Sequence, residues 1–278
     1  MAGDAKIVLV TGASAGIGAA IAKRLAEAGH RVFGTSRKAG APPPAKDVRM
    51  LVMDVRKQDT IAACVASVIE SAGRIDVLVN NAGYGIAASV EDTLADDMQN
   101  QLDTNLLGPL RVCQAVLPHM RKQGAGRIIQ VSSLAARIAI PFQGAYSASK
   151  SALKGMSEAL SMELKPFGID VVMIEPGDTK SSFTVAREWT QAAKASTVYR
   201  ARAEHAIKVM ALAEQAGPPA DKVARIVERA IAASKPKLSY VSASPMESVA
   251  LALKNILPAR AFEGLIASNY ELPKRKAP

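Results

Sequence analysis

An open, doubly wound parallel α/β sheet is the fold class that this 278-residue sequence predicts. Three observations carry it. Short runs rich in Val and Ile recur along the chain, each followed by a longer helix-like stretch. The runs are apolar at consecutive rather than alternate positions, as in strands buried on both faces. A glycine-rich turn, "TGASAGIG" (11–18), joins the first run directly to the first helical stretch. Seven such runs imply one seven-stranded parallel sheet covered by helices on both faces, with right-handed crossovers, in a single domain spanning 1–278.

The elements follow in order. "KIVLV" (6–10) reads as the first strand, and residues 17–28 as a helix stopped by Gly29. "RVFGTS" (31–36) is a second strand. The three prolines of "GAPPPAK" (40–46) can neither continue a helix nor sit in a central strand, so this is a loop. "RMLVMDV" (49–55) is a third strand, residues 58–72 a helix, and "IDVLVNNAG" (75–83) a fourth strand running into a turn. Thr93 followed by Asp96 predicts a helix N-cap, with one long helix over 96–121 kinked at Pro109. "RIIQVSS" (127–133) is a fifth strand, 146–166 a helix, "IDVVMIEPG" (169–177) a sixth strand, 219–233 a helix and "KLSYVS" (237–242) the last strand. Residues 178–216 and 243–278 fall outside the alternation. Excursions of that size are functional or carry helices of their own, and 178–216 is read as a substrate lid.

Composition excludes several function classes. Hydrophobic residues make up 49% of the chain, and no apolar run reaches the roughly 18–20 residues a membrane helix needs. The first residues lead straight into the glycine turn without the pattern of a signal peptide, so a cytoplasmic location is expected. Cys64 and Cys113 form no CxxC pair, and His30, His119 and His205 are far apart in sequence, so no metal is expected. The net charge of +10 comes from scattered Lys and Arg, apart from Lys274, Arg275 and Lys276, which read as a solvated end. With 4% aromatics and no recognition motif, a nucleic-acid partner is not expected.

The glycine turn is built for a dinucleotide. Gly12 permits the tight turn, Gly16 lets the backbone approach a diphosphate, and Gly18 allows close helix–strand packing. The opening turn of the helix then offers its N–H groups and dipole to phosphate. Ser14, Ala15 and Ile17 complete the expected contact set. A site preferring NAD usually carries an acid about 20 residues on. Here Ser36 stands there and Arg37 follows, a planar guanidinium suited to a 2′-phosphate. The expected cofactor is therefore NADP(H). Ala15 points weakly the other way, since a basic or hydroxyl residue is common there in NADP-dependent proteins.

Tyr146 and Lys150, in "AYSASK" (145–150), are four residues apart on a predicted helix and share a face. A tyrosine titrates near pH 10 by itself, and a nearby ammonium should lower that value toward useful proton exchange.

The TGxxxGxG turn, "NNAG" (80–83), Asp54, "PG" (176–177) and the Tyr–Lys pair appear in the order found in short-chain dehydrogenases/reductases. The chain resembles that family over about 5–242, and its "IEPGDTKSSF" and long C-terminal segment resemble the hydroxysteroid- and retinol-dehydrogenase-like branch. The resemblance implies a Rossmann fold in which Asp54 and Val55 lie near the adenine. Asn81, Ala82 and Gly83 floor the site, while Pro176, Gly177 and Thr179 lie beside the nicotinamide. It implies Asn105, Ser133, Tyr146 and Lys150 as the catalytic set. Ser133, thirteen residues before Tyr146, would orient the substrate oxygen, Lys150 would bind the ribose and activate Tyr146, and Asn105 would organise a water chain. It also implies a homodimer or homotetramer formed through the long helices.

The implied activity is hydride transfer between NADP(H) and a small-molecule carbonyl or alcohol. The expected substrate walls are Tyr84 and Ile86, the segment 138–143 with Phe142 and Gln143, and the segment 177–183 with Phe183, beside Ser133 and Tyr146. These are mostly apolar, which points to a medium-sized apolar ketone, aldehyde or alcohol, steroid- or retinoid-like substrates included. A 3-ketoacyl-carrier-protein reductase is the rival enzyme, and a non-catalytic NADP(H)-binding regulator the rival of another class. No histidine stands near Ser133 in sequence, which excludes a Ser–His–Asp hydrolase.

Overall fold

The computed structural model describes residues 5–272, so the basic cluster at 274–276 lies outside the described residues. Strand β1 (Ile7–Val10) leads into helix α1 (Gly16–Glu27), and β2 (Arg31–Ser36) and β3 (Val48–Val52) follow before α2 (Gln58–Ala72). After β4 (Val77–Asn80) and the two-residue β5 (Ile86–Ala87) come α3 (Ala95–Leu102), a π-turn (Asp103–Leu107) and α4 (Gly108–Gln123). Then β6 (Gly126–Val131), α5 (Gly144–Leu164) and β7 (Ile169–Pro176) complete the body. The remainder is β8 (Glu188–Trp189), α6 (Gln191–Ala195), α7 (Arg200–Ala216), α8 (Ala220–Ala232), β9 (Ser239–Ser242), α9 (Pro245–Ile256) and α10 (Ala259–Asn269).

The main sheet has seven strands in the order β3-β2-β1-β4-β6-β7-β9, and every neighbouring pair is parallel. The chain steps outward from β1 in one direction and then, from β4, in the other. The switch lies between β1 and β4, and ligands bind at the carboxyl ends of the strands there. One face buries Val8, Val10, Val79 and Ile129 against Ile21 and Leu25 of α1 and Val223 and Val227 of α8. The opposite face buries Leu9, Leu78 and Ile128 against Val65 and Val68 of α2 and Val112 and Val116 of α4. Successive strand residues thus serve opposite cores, which is why the strand sequences are continuously apolar.

Two expectations need correction. The helix expected over 96–121 is divided: the chain widens into the π-turn, and Pro109 stands in the first turn of α4. Pro109 has no N–H to give to the carbonyl four residues back, and the adjacent Gly108 N–H bonds instead to Asp103, five residues back. Nor is Thr93 the N-cap. Its hydroxyl donates to the Ser89 carbonyl at 2.8 Å, and the helix begins after Leu94, whose N–H donates to Asp97 at 3.2 Å.

Candidate functional site

One cavity of about 860 Å³ opens over the carboxyl ends of the strands at the switch point. Gly12, Ser14, Ala15, Gly16, Ile17 and Gly18 line one end. Gly12 and Gly16 have left-handed φ values of 65° and 56°, and a Cβ on Gly18 would stand 2.2 Å from the Gly12 carbonyl oxygen. Asn81 locks this loop to the end of β4: its side-chain amide donates to the carbonyls of Thr11 (2.9 Å) and Gly12 (3.1 Å). The Ala15 N-cap supplies no side-chain cap and the first turn of α1 carries no acid. Its leading N–H groups are thus left for an anionic ligand, and the cradle fits a dinucleotide diphosphate.

At the end of β2, Ser36 and Arg37 line the cavity with Lys38. Ser36 Oγ accepts from the Lys38 N–H at 3.1 Å, which folds the turn back. Asp54 and Val55 line the same end. Arg56, a cavity residue that the sequence reading passed over, grips Asp54 at 3.0 Å and holds its carboxyl below the usual range. Arg37, Lys38 and Arg56 thus border this end of the cavity, with Asp54 paired to Arg56. Ala82, Gly83, Pro176, Gly177 and Thr179 line the middle of the cavity.

Tyr146 and Lys150 stand on one face of α5 and both line the cavity, with Ser133 at the end of β6 opposite. Lys150 Nζ donates to the Val131 carbonyl at 2.9 Å and lies 5.8 Å from the centre of the Tyr146 ring. Burial pushes the Tyr146 phenol up to about 12, and the group that pulls it back most is the Ser133 hydroxyl through a hydrogen bond. The Lys150 ammonium is turned to the Val131 carbonyl and is itself lowered to about 8 by burial. The buried phenol therefore keeps its proton near neutral pH. Ser132, next to Ser133, is 3% exposed with no hydrogen-bond partner for its hydroxyl among the described residues.

Asn105 is fully buried behind the cavity rather than in its wall. It clamps the turn after "NNAG": Oδ1 accepts from the Tyr84 N–H at 3.1 Å, and Nδ2 donates to the Tyr84 carbonyl (2.9 Å) and to Ser149 Oγ (3.0 Å). The π-turn is what swings it inward. A Cβ on Gly83 would lie 3.1 Å from Asn105 Oδ1 and 3.7 Å from Lys150 Nζ, so both groups border one small space.

Of the expected substrate walls, Tyr84, Ile138, Ile140, Gln143 and Phe183 line the cavity. Phe183 packs on Tyr146 with ring centres 5.3 Å apart. Phe142 does not line it: a left-handed φ of 57° turns this residue aside, and its carbonyl instead accepts from the Ala88 N–H at 3.0 Å. Ile86 is likewise buried in a satellite core beside Ala193 rather than in the wall.

The lid segment 178–216 contains β8, α6 and α7, and β8 pairs with β5 to fix its base. Within it the sequence reading missed a polar network. Arg187, 3% exposed, donates to Glu214 of α7 at 2.6 Å, and the other carboxylate oxygen of Glu214 accepts from Thr184 at 2.5 Å. With its amide oxygen turned toward the guanidinium, Gln143 accepts from Arg187 Nε and, at 3.2 Å, from Nη2. Arg187 also stands 5.7 Å over the Phe183 ring. Beyond it, Glu247 of α9 covers Gly177 and accepts from the N–H groups of Asp178 and Ser244, both at 2.7 Å. Burial first, then the charges of Glu247 and Glu214, raise Asp178 to about 7. The far wall comes from α9 and α10, inside the C-terminal extension whose role sequence did not reveal.

Cys64 and Cys113 are separate buried thiols. Among the described residues, no group of three or more His, Cys, Asp or Glu could hold a metal ion, and no helix is long and apolar enough to cross a membrane.

Comparison with known proteins agrees with this geometry. The family model for short chain dehydrogenases matches residues 6–192. The chain is 39% identical over 234 residues to the 3-ketodihydrosphingosine reductase of Bacteroides thetaiotaomicron, covering 83% of this chain and 85% of that protein. It is 38% identical over 192 residues to human 17-beta-hydroxysteroid dehydrogenase type 1, covering 64% of this chain and 58% of that one. Among solved structures, a short-chain dehydrogenase from Streptomyces avermitilis superposes with a TM-score of 0.78 at 28% identity, over 96% of this chain and 97% of the other. With the family model matched over 6–192, a relative 39% identical over most of both chains and a glycine cradle in one cavity with Tyr146 and Lys150, the chain belongs to the short-chain dehydrogenase family of oxidoreductases.

Proposed function

We propose that this protein is an NADP(H)-dependent oxidoreductase that interconverts a carbonyl and an alcohol, with Tyr146 exchanging the proton at the reacting oxygen. The observation that carries the reading is the shared cavity: Tyr146, Lys150 and Ser133 face the same space as the glycine cradle. When bound, the nicotinamide cofactor supplies or accepts the hydride. Ser133 lines the cavity with Tyr146, its Oγ accepting from the Ala135 N–H at 3.1 Å, and is placed to hold the substrate oxygen beside the phenol. Lys150, anchored on Val131, keeps an ammonium under the Tyr146 ring and in reach of a ribose hydroxyl. Asn105 fixes the turn at Gly83 and Tyr84 that floors the site.

Two features sharpen this. A phenol raised to about 12 holds the proton that carbonyl reduction consumes, so the resting site is loaded for the reductive step, while the cofactor ratio sets the net direction. The relative matching 83% of the chain is also a reductase by name. Ser36, Arg37, Lys38 and Arg56 around the salt-bridged Asp54 favour NADP(H) over NAD(H).

The test is cofactor oxidation by the purified protein across a panel of ketones and aldehydes, with NADPH and NADH side by side. NADPH should be preferred. Tyr146→Phe should lower kcat/KM by about 10²–10⁴-fold while leaving NADPH affinity nearly unchanged. A Tyr146→Phe enzyme retaining most of its rate refutes the role given to Tyr146.

A further inference from the structure

The cavity does not end at Tyr146. Past Phe183 it continues under α7, α9 and α10, where the lining becomes a hydrocarbon surface. Met246, Val249, Ala250 and Leu253 of α9 all line it. Their spacing of three, one and three residues puts them on one helix face, a stripe running about 10 Å along the axis. Leu265 and Ile266 of α10 continue the stripe. Alanines at 213 and 250 keep the space between the walls open.

Among the described residues, much of this surface is left uncovered. No residue of α9 is fully buried, and Met246, Val249 and Leu265 are 77%, 58% and 42% exposed. An apolar stripe continuous with a reacting centre marks a binding surface rather than a core face. A compact ketone reaching Tyr146 would leave most of it bare. The polar groups between the stripe and Tyr146 limit what the occupant carries. Asp178, Glu214 and Glu247 all line this part of the cavity; among the described residues Arg187 stands against them with its charge already taken by Glu214, and the Lys150 ammonium is held by the Val131 carbonyl. A carboxylate or phosphate brought beside the carbonyl would meet like charge.

Resting on the oxidoreductase reading above, we infer that the substrate is a single-chain lipid ketone, or its alcohol, with no anionic group near the carbonyl. Its hydrocarbon chain lies along the α9–α10 stripe while the carbonyl oxygen sits between Tyr146 and Ser133. In reduction, hydride from the nicotinamide forms the new C–H bond at the carbonyl carbon. The C=O π pair moves to oxygen and takes the Tyr146 proton, so ketone becomes secondary alcohol as reduced cofactor becomes oxidised.

The test is a chain-length series of 2-alkanones, from about four to about fourteen carbons, with NADPH as reductant. Each added methylene should raise kcat/KM by about two- to fourfold until the stripe is filled. Leu253→Asp should flatten that slope and Leu253→Met should keep it. A 3-oxo carboxylate should be reduced at least about tenfold less efficiently than its methyl ester. If short ketones are reduced well but the slope is flat, or if Leu253→Met flattens it as much as Leu253→Asp, the lipid assignment is overturned and the oxidoreductase reading stands. A rigid fused-ring ketone outperforming the best alkanone overturns it as well, as does a carboxylate preferred over its ester. If no ketone of any length is turned over with either cofactor, both fall.

Discussion

Replacing Arg187 by Met tests whether the lid is held by a buried charge pair. The guanidinium is 3% exposed and the Glu214 side chain 12%, with 2.6 Å between them. In Arg187→Met, Glu214 keeps only the Thr184 hydroxyl, and Gln143 loses its donor. Breaking a buried pair from one side costs about 3–5 kcal/mol, chiefly because the surviving charge stays desolvated. For a domain of this size each kcal/mol moves Tm by about 2–4 °C, so a fall of at least about 6 °C is expected in scanning calorimetry. The double variant Arg187→Met/Glu214→Leu removes the stranded charge and should recover most of the loss. Arg187 also backs Phe183, which packs on Tyr146, so kcat/KM should fall with the single change. A single variant melting within about 1 °C of wild type, or a double variant as unstable as the two single effects summed, would refute the argument.

Two further outcomes follow from the site. Ser36→Asp places a carboxylate where a 2′-phosphate would lie and should shift the ratio of kcat/KM values toward NADH by at least about tenfold; an unchanged ratio removes that position from cofactor choice. Asp178, raised to about 7, keeps its proton in the folded state while the unfolded chain loses it near pH 4. Stability is therefore lost progressively as pH climbs through that window, and the penalty is complete above about pH 7. Asp178→Asn should raise Tm more at pH 8 than at pH 5, and equal shifts at the two values would mean the carboxyl carries no such penalty.

The parts of the site that sequence disclosed are those whose chemistry is local. Gly12, Gly16 and Gly18 are needed by one turn, and Tyr146 and Lys150 by one helix face, so spacing alone brings them together. The central strands β1, β4, β6 and β7 were recoverable because they are buried on both faces and read as near-continuous apolar runs, while the edge strands β3 and β9 were marked by their place in the alternation. The lid and far wall were not legible for the opposite reason. Arg187 meets Glu214 across 27 residues, and Gln143 joins them from another element. Nothing near any of the three marks it as one of a set. The α9 stripe mixes Met, Val, Ala and Leu at ordinary helical spacing, a pattern that predicts burial, whereas the structure leaves much of it exposed. Phe142 failed as a wall because its backbone conformation, which residue type does not disclose, turns it away. The anchor of Lys150 was hidden as well, because the Val131 carbonyl that holds its ammonium is a backbone group of another element.

The π-turn at Asp103–Leu107 carries a consequence for how this segment tolerates change. A wide turn is one residue more than an α-helix of the same rise needs. Deleting a single residue there would let the helix close up regularly, and because the wide turn absorbs that residue, α3 would keep its facing against α4 and the penalty would fall on the turn itself. Gln101 on α3 would keep the Ile86 N–H and the Tyr84 carbonyl at 3.0 and 2.8 Å, while Asn105, inside the turn, would leave the floor beneath Gly83 and release the Tyr84 backbone. Point substitutions along α3's outer face should pass with little effect, while a one-codon loss between 103 and 107 should silence the enzyme without unfolding the sheet beneath it.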